Sequence, residues 1–199
     1  MFLTFYSYFL AALFSGTSAF ESSVNGDRSA SSVQWRSPVV VAGASGYIGR
    51  AVVQELVSRG VPTAALVRSP SDLSDITREC LEGSSLVQCN SLDPVAVAQV
   101  YAALQPSVTV CCLASRNGLG ADSFAVDYNG GHNLLRASLP TSHYVLLSAY
   151  CVGKPELQFQ LAKLKLEAEI RAAAKMQRIS HSIVRPTAYF KSLDGQIEV

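Results

Sequence analysis

The stretch Val39-Val40-Val41-Ala42-Gly43-Ala44-Ser45-Gly46-Tyr47-Ile48-Gly49 constrains the fold more than any other part of the chain. Its first residues are apolar and mostly β-branched, and with Pro38 they read as a buried strand. From Tyr47 to Ser58 an amphipathic pattern reads as a helix, ended by Gly60. Between strand and helix the glycines are spaced GxxGxxG. Each has a separate task. Gly43 permits a tight turn, Gly46 lets backbone N–H groups approach a pyrophosphate, and Gly49 lets helix and strand pack closely. The helix N-terminus then faces the negative charge. In this context the motif predicts a dinucleotide site drawn from Gly43, Ser45, Gly46, Tyr47, Ile48 and Gly49.

The rest of the body repeats the alternation. Strands are expected at 63–67, 85–89, 108–113, 143–148 and 182–185. Helices are expected at 71–81, 94–104, 123–138 and 157–176. Apolar strands alternating with helices give βαβ units and a parallel sheet covered on both faces. The run 108–113 is apolar enough to be central. The fold class is therefore α/β, a doubly wound parallel-sheet Rossmann fold, over residues 38–199.

The second strand decides the cofactor. An NAD site expects an acid about 20 residues after the glycines, to bind the ribose hydroxyls. Here Arg68 stands at the strand end and no acid follows until Asp72. A guanidinium favours a 2′-phosphate through charge-assisted bonds, so the expected cofactor is NADPH. Leu113, Ala114, Ser115 and Arg116 follow the fourth strand, where this fold passes the dinucleotide. Pro186 and Thr187 follow the sixth, near the nicotinamide end. Asp127, Asn129 and Asn133 lie on the helix after the fourth strand, with Asp127 read at least as readily as a surface group. Along 157–176 two stripes, Leu157/Leu161/Leu164/Ala168 and Phe159/Ala162/Leu166/Ile170, read as core contacts.

Composition sets outer bounds. The chain has 199 residues, 49% hydrophobic and 16% charged, with net charge +1. That balance excludes a disordered chain and gives no electrostatic footprint for nucleic acid. The five cysteines form no CxxC and no metal-ligand spacing, which argues against a disulfide scaffold. His132, His143 and His181 form no ligand set and read as structural. The hydrophobicity is uneven: residues 1–20 carry no charge and hold five of the eight phenylalanines. Residues 1–19 resemble a signal peptide with a cleavage site before Phe20, although without a basic start. Residues 20–37 read as a Ser- and Arg-containing transit segment or as a linker. Together they resemble the bipartite leaders of algae with secondary red-lineage plastids. A plastid location is expected, with the secretory pathway as the alternative.

The GxxGxxG turn resembles that of extended and atypical short-chain dehydrogenases. In that superfamily the fifth strand ends in two hydroxyl residues, and a YxxxK follows. Here the strand ends Ser148-Ala149, and the helix carries Phe159-Gln160-Leu161-Ala162-Lys163. Phenylalanine has no proton to give, so carbonyl chemistry by that route is disfavoured. Lys163 remains, one turn on and on the same helix face.

Several stretches sharpen the resemblance. They are Gly43–Arg50, Cys112-Leu113-Ala114-Ser115-Arg116-Asn117-Gly118, Tyr144–Ala149, Phe159–Glu169 and Ser182–Leu193, the last containing RPTAYFKSL. With them, residues 39–199 closely resemble the plastid divinyl chlorophyllide a 8-vinyl-reductase family. The resemblance implies an NADPH-dependent enzyme that reduces the 8-vinyl group of a tetrapyrrole to ethyl. It also implies a peripheral association with plastid membranes. A vinyl group conjugated to a macrocycle accepts hydride while the ring delocalises charge, so no carbonyl-directed tyrosine is required. Tyr150, Cys151, Lys163 and solvent are the candidate proton sources. Two other readings stay open: a non-catalytic NADP-binding sensor or photosystem-assembly factor of the same superfamily, and a reductase of another plastid substrate. The family's reductase domain continues beyond the sixth strand, so the C-terminal substrate half is expected to be largely missing from 199 residues.

Overall fold

Strands β1 (Val39–Ala42) and β4 (Val108–Cys111) lie side by side in the middle of a six-stranded parallel sheet of order β3-β2-β1-β4-β5-β6. The structure is a computed structural model that describes residues 37–116, 120–138 and 142–187. The remaining strands are β2 (Thr63–Val67), β3 (Ser85–Gln88), β5 (His143–Leu147) and β6 (Ser180–Val184). Residues 1–36 lie outside the described residues, and so do Asn117, Gly118 and the stretch 188–199.

The four inner strands are buried at every position because helices cover both faces. Side chains alternate between the faces. Val39, Val41, Val110 and Val145 pack with Val53 and Leu56 of α1 (Tyr47–Ser58) on one side. Val40, Ala42, Tyr144 and Leu146 pack on the other. They meet Leu134 of α5 (Gly131–Ala137) and Leu166 and Ile170 of α6 (Gln158–Lys175). Burying one such aliphatic side chain stabilises by about 1.5–3 kcal/mol. The thiols of Cys111 and Cys112 sit among them, and burial pushes both above their ordinary pKa, as befits small apolar residues.

Helix α3 (Pro94–Leu104) starts where expected, with Asp93 accepting from Val95 N and Ala96 N at 2.9 and 3.2 Å. Four expectations need correction. The single helix at 71–81 is a 3-10 turn, Pro70–Asp72, followed by α2, Asp75–Cys80. Ser74 breaks them by capping α2 through Thr77 N at 3.3 Å. The helix at 123–138 begins earlier and is interrupted. α4 (Gly120–Ser123) leads into a π-helical segment, Phe124–Gly130, before α5. Strand β6 starts at Ser180 rather than Ser182, because the buried His143 ring meets Ser180 Oγ at 2.8 Å and Ser182 Oγ at 3.0 Å. On α6 only one stripe is core: Ala162, Leu166 and Ile170 are buried, whereas Leu157 and Leu161 are 54% and 40% exposed. A helix on one face of a sheet presents a single face inward, so the second stripe lies outside the sheet core.

Candidate active site

The carboxyl ends of β1, β2, β4 and β5 open on one cleft of about 1110 Å3. It lies where the chain order reverses between β1 and β4, the position at which open α/β sheets hold ligands. Gly43, Ser45, Gly46, Tyr47 and Ile48 line it, as do Arg68, Ala114, Ser115, Arg116 and Lys163. Leu113 and Asp127 line it too, so most of the candidates named from the sequence share one cavity. Gly49, Tyr150, Pro186 and Thr187 are not among its walls.

The glycine turn fits a dinucleotide by its geometry. Gly43 has φ +78°, and a Cβ there would lie 2.7 Å from Cys112 O. A Cβ on Gly49 would fall 2.0 Å from Gly43 O, so that glycine packs helix on turn and faces no ligand. A Cβ on Gly46 would meet Gly43 O at 3.2 Å, filling space just ahead of the helix. Helix α1 begins with no side-chain cap at Gly46 and no acid in its first turn. The positive end of the helix therefore faces the cleft with no acid of its own first turn beside it.

Arg68 extends from the end of β2, exposed, with its carbonyl held by Gln88 Nε2 at 3.3 Å. It lines the β2 side of the cleft. The other side belongs to α6. Lys163 is buried against the ends of β4 and β5, donating from Nζ to Leu113 O at 3.1 Å and Leu147 O at 3.2 Å. Phe159 lines the same wall one turn earlier, with Ser148 and Ala149.

Two carboxylates are buried where the sequence gives little sign of it. Asp127 is 2% exposed, not a surface group: Oδ1 lies 3.1 Å from Lys163 Nζ, and Oδ2 accepts from Ser115 N at 3.1 Å. The available signal was its spacing, four residues from Ser123 and from Gly131, which are also buried. Glu167, one turn beyond Lys163, is fully buried and was not singled out. It accepts from Ser148 Oγ at 2.6 Å, Arg185 Nε at 2.9 Å and Arg171 at 2.9 Å. Burial pushes its carboxyl up, but the hydrogen bonds from Arg185 and Ser148 and the charges of Arg185 and Arg171 outweigh it. Its pKa therefore lies below the ordinary carboxylate value.

The remaining candidates are placed as follows. Tyr150 is 71% exposed on the 3-10 turn Tyr150–Gly153, and its N–H donates to Pro186 O at 2.9 Å. Asn133 donates to Ser91 O at 3.0 Å and so steadies a cleft loop, whereas Asn129 is exposed. His132 pairs with Glu169 at 3.0 Å, away from the cleft walls. Among the described residues no His, Cys, Asp and Glu cluster could hold a metal. No helix among them is long and apolar enough to cross a membrane.

Comparison with known proteins agrees with this geometry. Relatives include the divinyl chlorophyllide a 8-vinyl-reductases of Zea mays, 45% identical over 171 residues, and of Arabidopsis thaliana, 43% identical over 172. Each match covers 81% of this chain, which spans 42% and 41% of those relatives. Among solved structures, a metagenomic short-chain oxidoreductase in complex with NADP superposes with TM-score 0.61 at 23% identity, over 75% of this chain and 81% of that one. UDP-glucose 4-epimerase from Thermotoga maritima superposes with TM-score 0.64 at 16% identity, over 74% and 54%. The NAD(P)H-binding family model matches residues 43–196. With the glycine turn, the switch-point cleft and this match together, the chain belongs to the NAD(P)H-binding family.

Proposed function

We propose that the chain binds NADPH and forms the cofactor half of a plastid enzyme that reduces the 8-vinyl group of divinyl chlorophyllide a to ethyl. The observation that carries this reading is Phe159 in the cleft wall, four residues before Lys163. An apolar ring occupies the place of the proton-donating tyrosine, which suits a conjugated alkene better than a carbonyl. The similarity to named vinyl reductases supports the same substrate class.

The residues would divide the work along the cleft. Gly43, Gly46 and the start of α1 would receive the pyrophosphate, and Arg68 the 2′-phosphate. Ala114, Ser115 and Arg116 would border the dinucleotide, with Lys163 toward the nicotinamide half. Bound NADPH would supply hydride. Lys163 Nζ, in the cleft wall, and Tyr150 are the candidate proton sources among the chain's own side chains. Pro186 and Thr187 would act through the turn at Tyr150, to which Pro186 is bonded. A hydrophobic tetrapyrrole would bring the enzyme to the plastid membrane surface.

A chimera tests the reading. Residues 38–187 replace the matching segment of the maize relative, and the product is incubated with NADPH and divinyl chlorophyllide a. Formation of the 8-ethyl pigment is the expected result. NADPH binding with the vinyl group left intact would refute the enzymatic reading. It would favour a non-catalytic dinucleotide-binding role, for which the commitment of Ser148 Oγ to Glu167 already speaks.

A further inference from the structure

Asp127 is buried in the wall of the cleft, and it is itself neither a phosphate site nor a candidate proton source. Its carboxylate does two things at once. Oδ2 holds Ser115 N at 3.1 Å, in the loop that leaves β4 along the cleft. Oδ1 makes no aligned hydrogen bond, and its compensation is the Lys163 ammonium at 3.1 Å. The ammonium in turn has three partners, Leu113 O, Leu147 O and Asp127. It is a fixed charge rather than a free arm. The pair sits on the β4–β5 side of the sheet, opposite Arg68 on the β2 side.

A buried ion pair is a weak device for stability alone, since apolar residues of similar volume often serve as well. Asp127 also lies within the π-helical segment, a departure from α-geometry frequent at functional sites. We propose that Asp127 is a positioning residue for the nicotinamide half of the cofactor site, acting through Lys163. Its carboxylate fixes the lysine at the ends of β4 and β5 and ties the Ser115 loop to the same point. The inference rests on the dinucleotide reading above.

The test compares whole and half ligands by calorimetry on the 199-residue chain. NADPH reports on both halves, and 2′,5′-ADP on the adenosine and 2′-phosphate half alone. D127N is expected to weaken NADPH about tenfold and to leave 2′,5′-ADP within about twofold. K163M is expected to show the same selective loss, and adding D127N to K163M is expected to change neither affinity further. A merely structural role would move both ligands together. Equal loss of both in D127N, or loss of neither, overturns the proposal. So does a further loss of NADPH when D127N is added to K163M, and that comparison decides the matter if D127N alone does not hold its fold by circular dichroism. Failure of the wild-type chain to bind NADPH overturns the dinucleotide reading and this inference with it. Wild-type binding with an unselective D127N overturns this inference alone.

Discussion

Ser148 Oγ donates to Glu167 Oε1 at 2.6 Å, so the one hydroxyl at the end of β5 is turned toward a buried carboxylate. Ala149 offers no second hydroxyl, and Phe159 no phenol. Restoring the phenol alone should therefore not restore carbonyl chemistry. Phe159→Tyr is expected to leave ketone reduction with NADPH at background. A ketone reductase gained by this one change would show that Ser148 is free to serve substrate.

The Glu167 cluster predicts an acid limit to stability. Its folded carboxyl titrates below the ordinary 4.5, so the contribution is present above that value and is lost as pH falls through the lower folded pKa. Glu167→Gln cannot titrate. The melting temperature of the wild type should fall more steeply below about pH 4.5 than that of the variant. At pH 7 the variant should be less stable by about 1–2 kcal/mol, because Arg185 and Arg171, themselves 36% and 45% exposed, lose their shared carboxylate. Parallel acid limbs for the two proteins would assign the limb to other groups.

Cofactor choice should follow Arg68. Arg68→Glu is expected to weaken NADPH at least about tenfold, since a hydrogen bond to a charged group contributes about 1.5–3 kcal/mol. NADH affinity should change by no more than about threefold, because NADH has no 2′-phosphate for the guanidinium to meet. Equal losses for both dinucleotides would move the 2′-phosphate site elsewhere.

Gly49 gives a test of packing. The added methyl of Gly49→Ala would fall 2.0 Å from Gly43 O, a backbone atom that cannot swing away. Overpacking of this kind costs about 1–3 kcal/mol or more, and here it also distorts the pyrophosphate turn. A lowered melting temperature together with lost NADPH binding is expected. Gly60→Ala, where a Cβ meets nothing within 4 Å but φ is +70°, should lower the melting temperature through backbone strain and leave NADPH binding intact.

Some of this was legible in the chain and some was not, for physical reasons. β1, the turn and α1 follow from signals within a few residues of each other: β-branched residues, glycine spacing and helical periodicity. The start of β6 depends on His143 reaching Ser180 and Ser182, nearly forty positions away, which no local pattern encodes. The π-helical turn has no compositional mark. Asp127 and Glu167 sit on helices where a carboxylate ordinarily faces water. Only the fold shows that their cationic and hydroxyl partners come to them. Leu157 and Leu161 mislead in the opposite direction, because apolar spacing alone does not say which face of α6 the sheet will cover.

Reduction of an 8-vinyl group is the role proposed for this NAD(P)H-binding chain. Disruption of its gene in the source organism, with pigments separated by chromatography, tests that most directly. Divinyl chlorophylls are expected to accumulate in place of the 8-ethyl forms. An unchanged 8-ethyl pigment profile, with or without loss of photosystems, would contradict it.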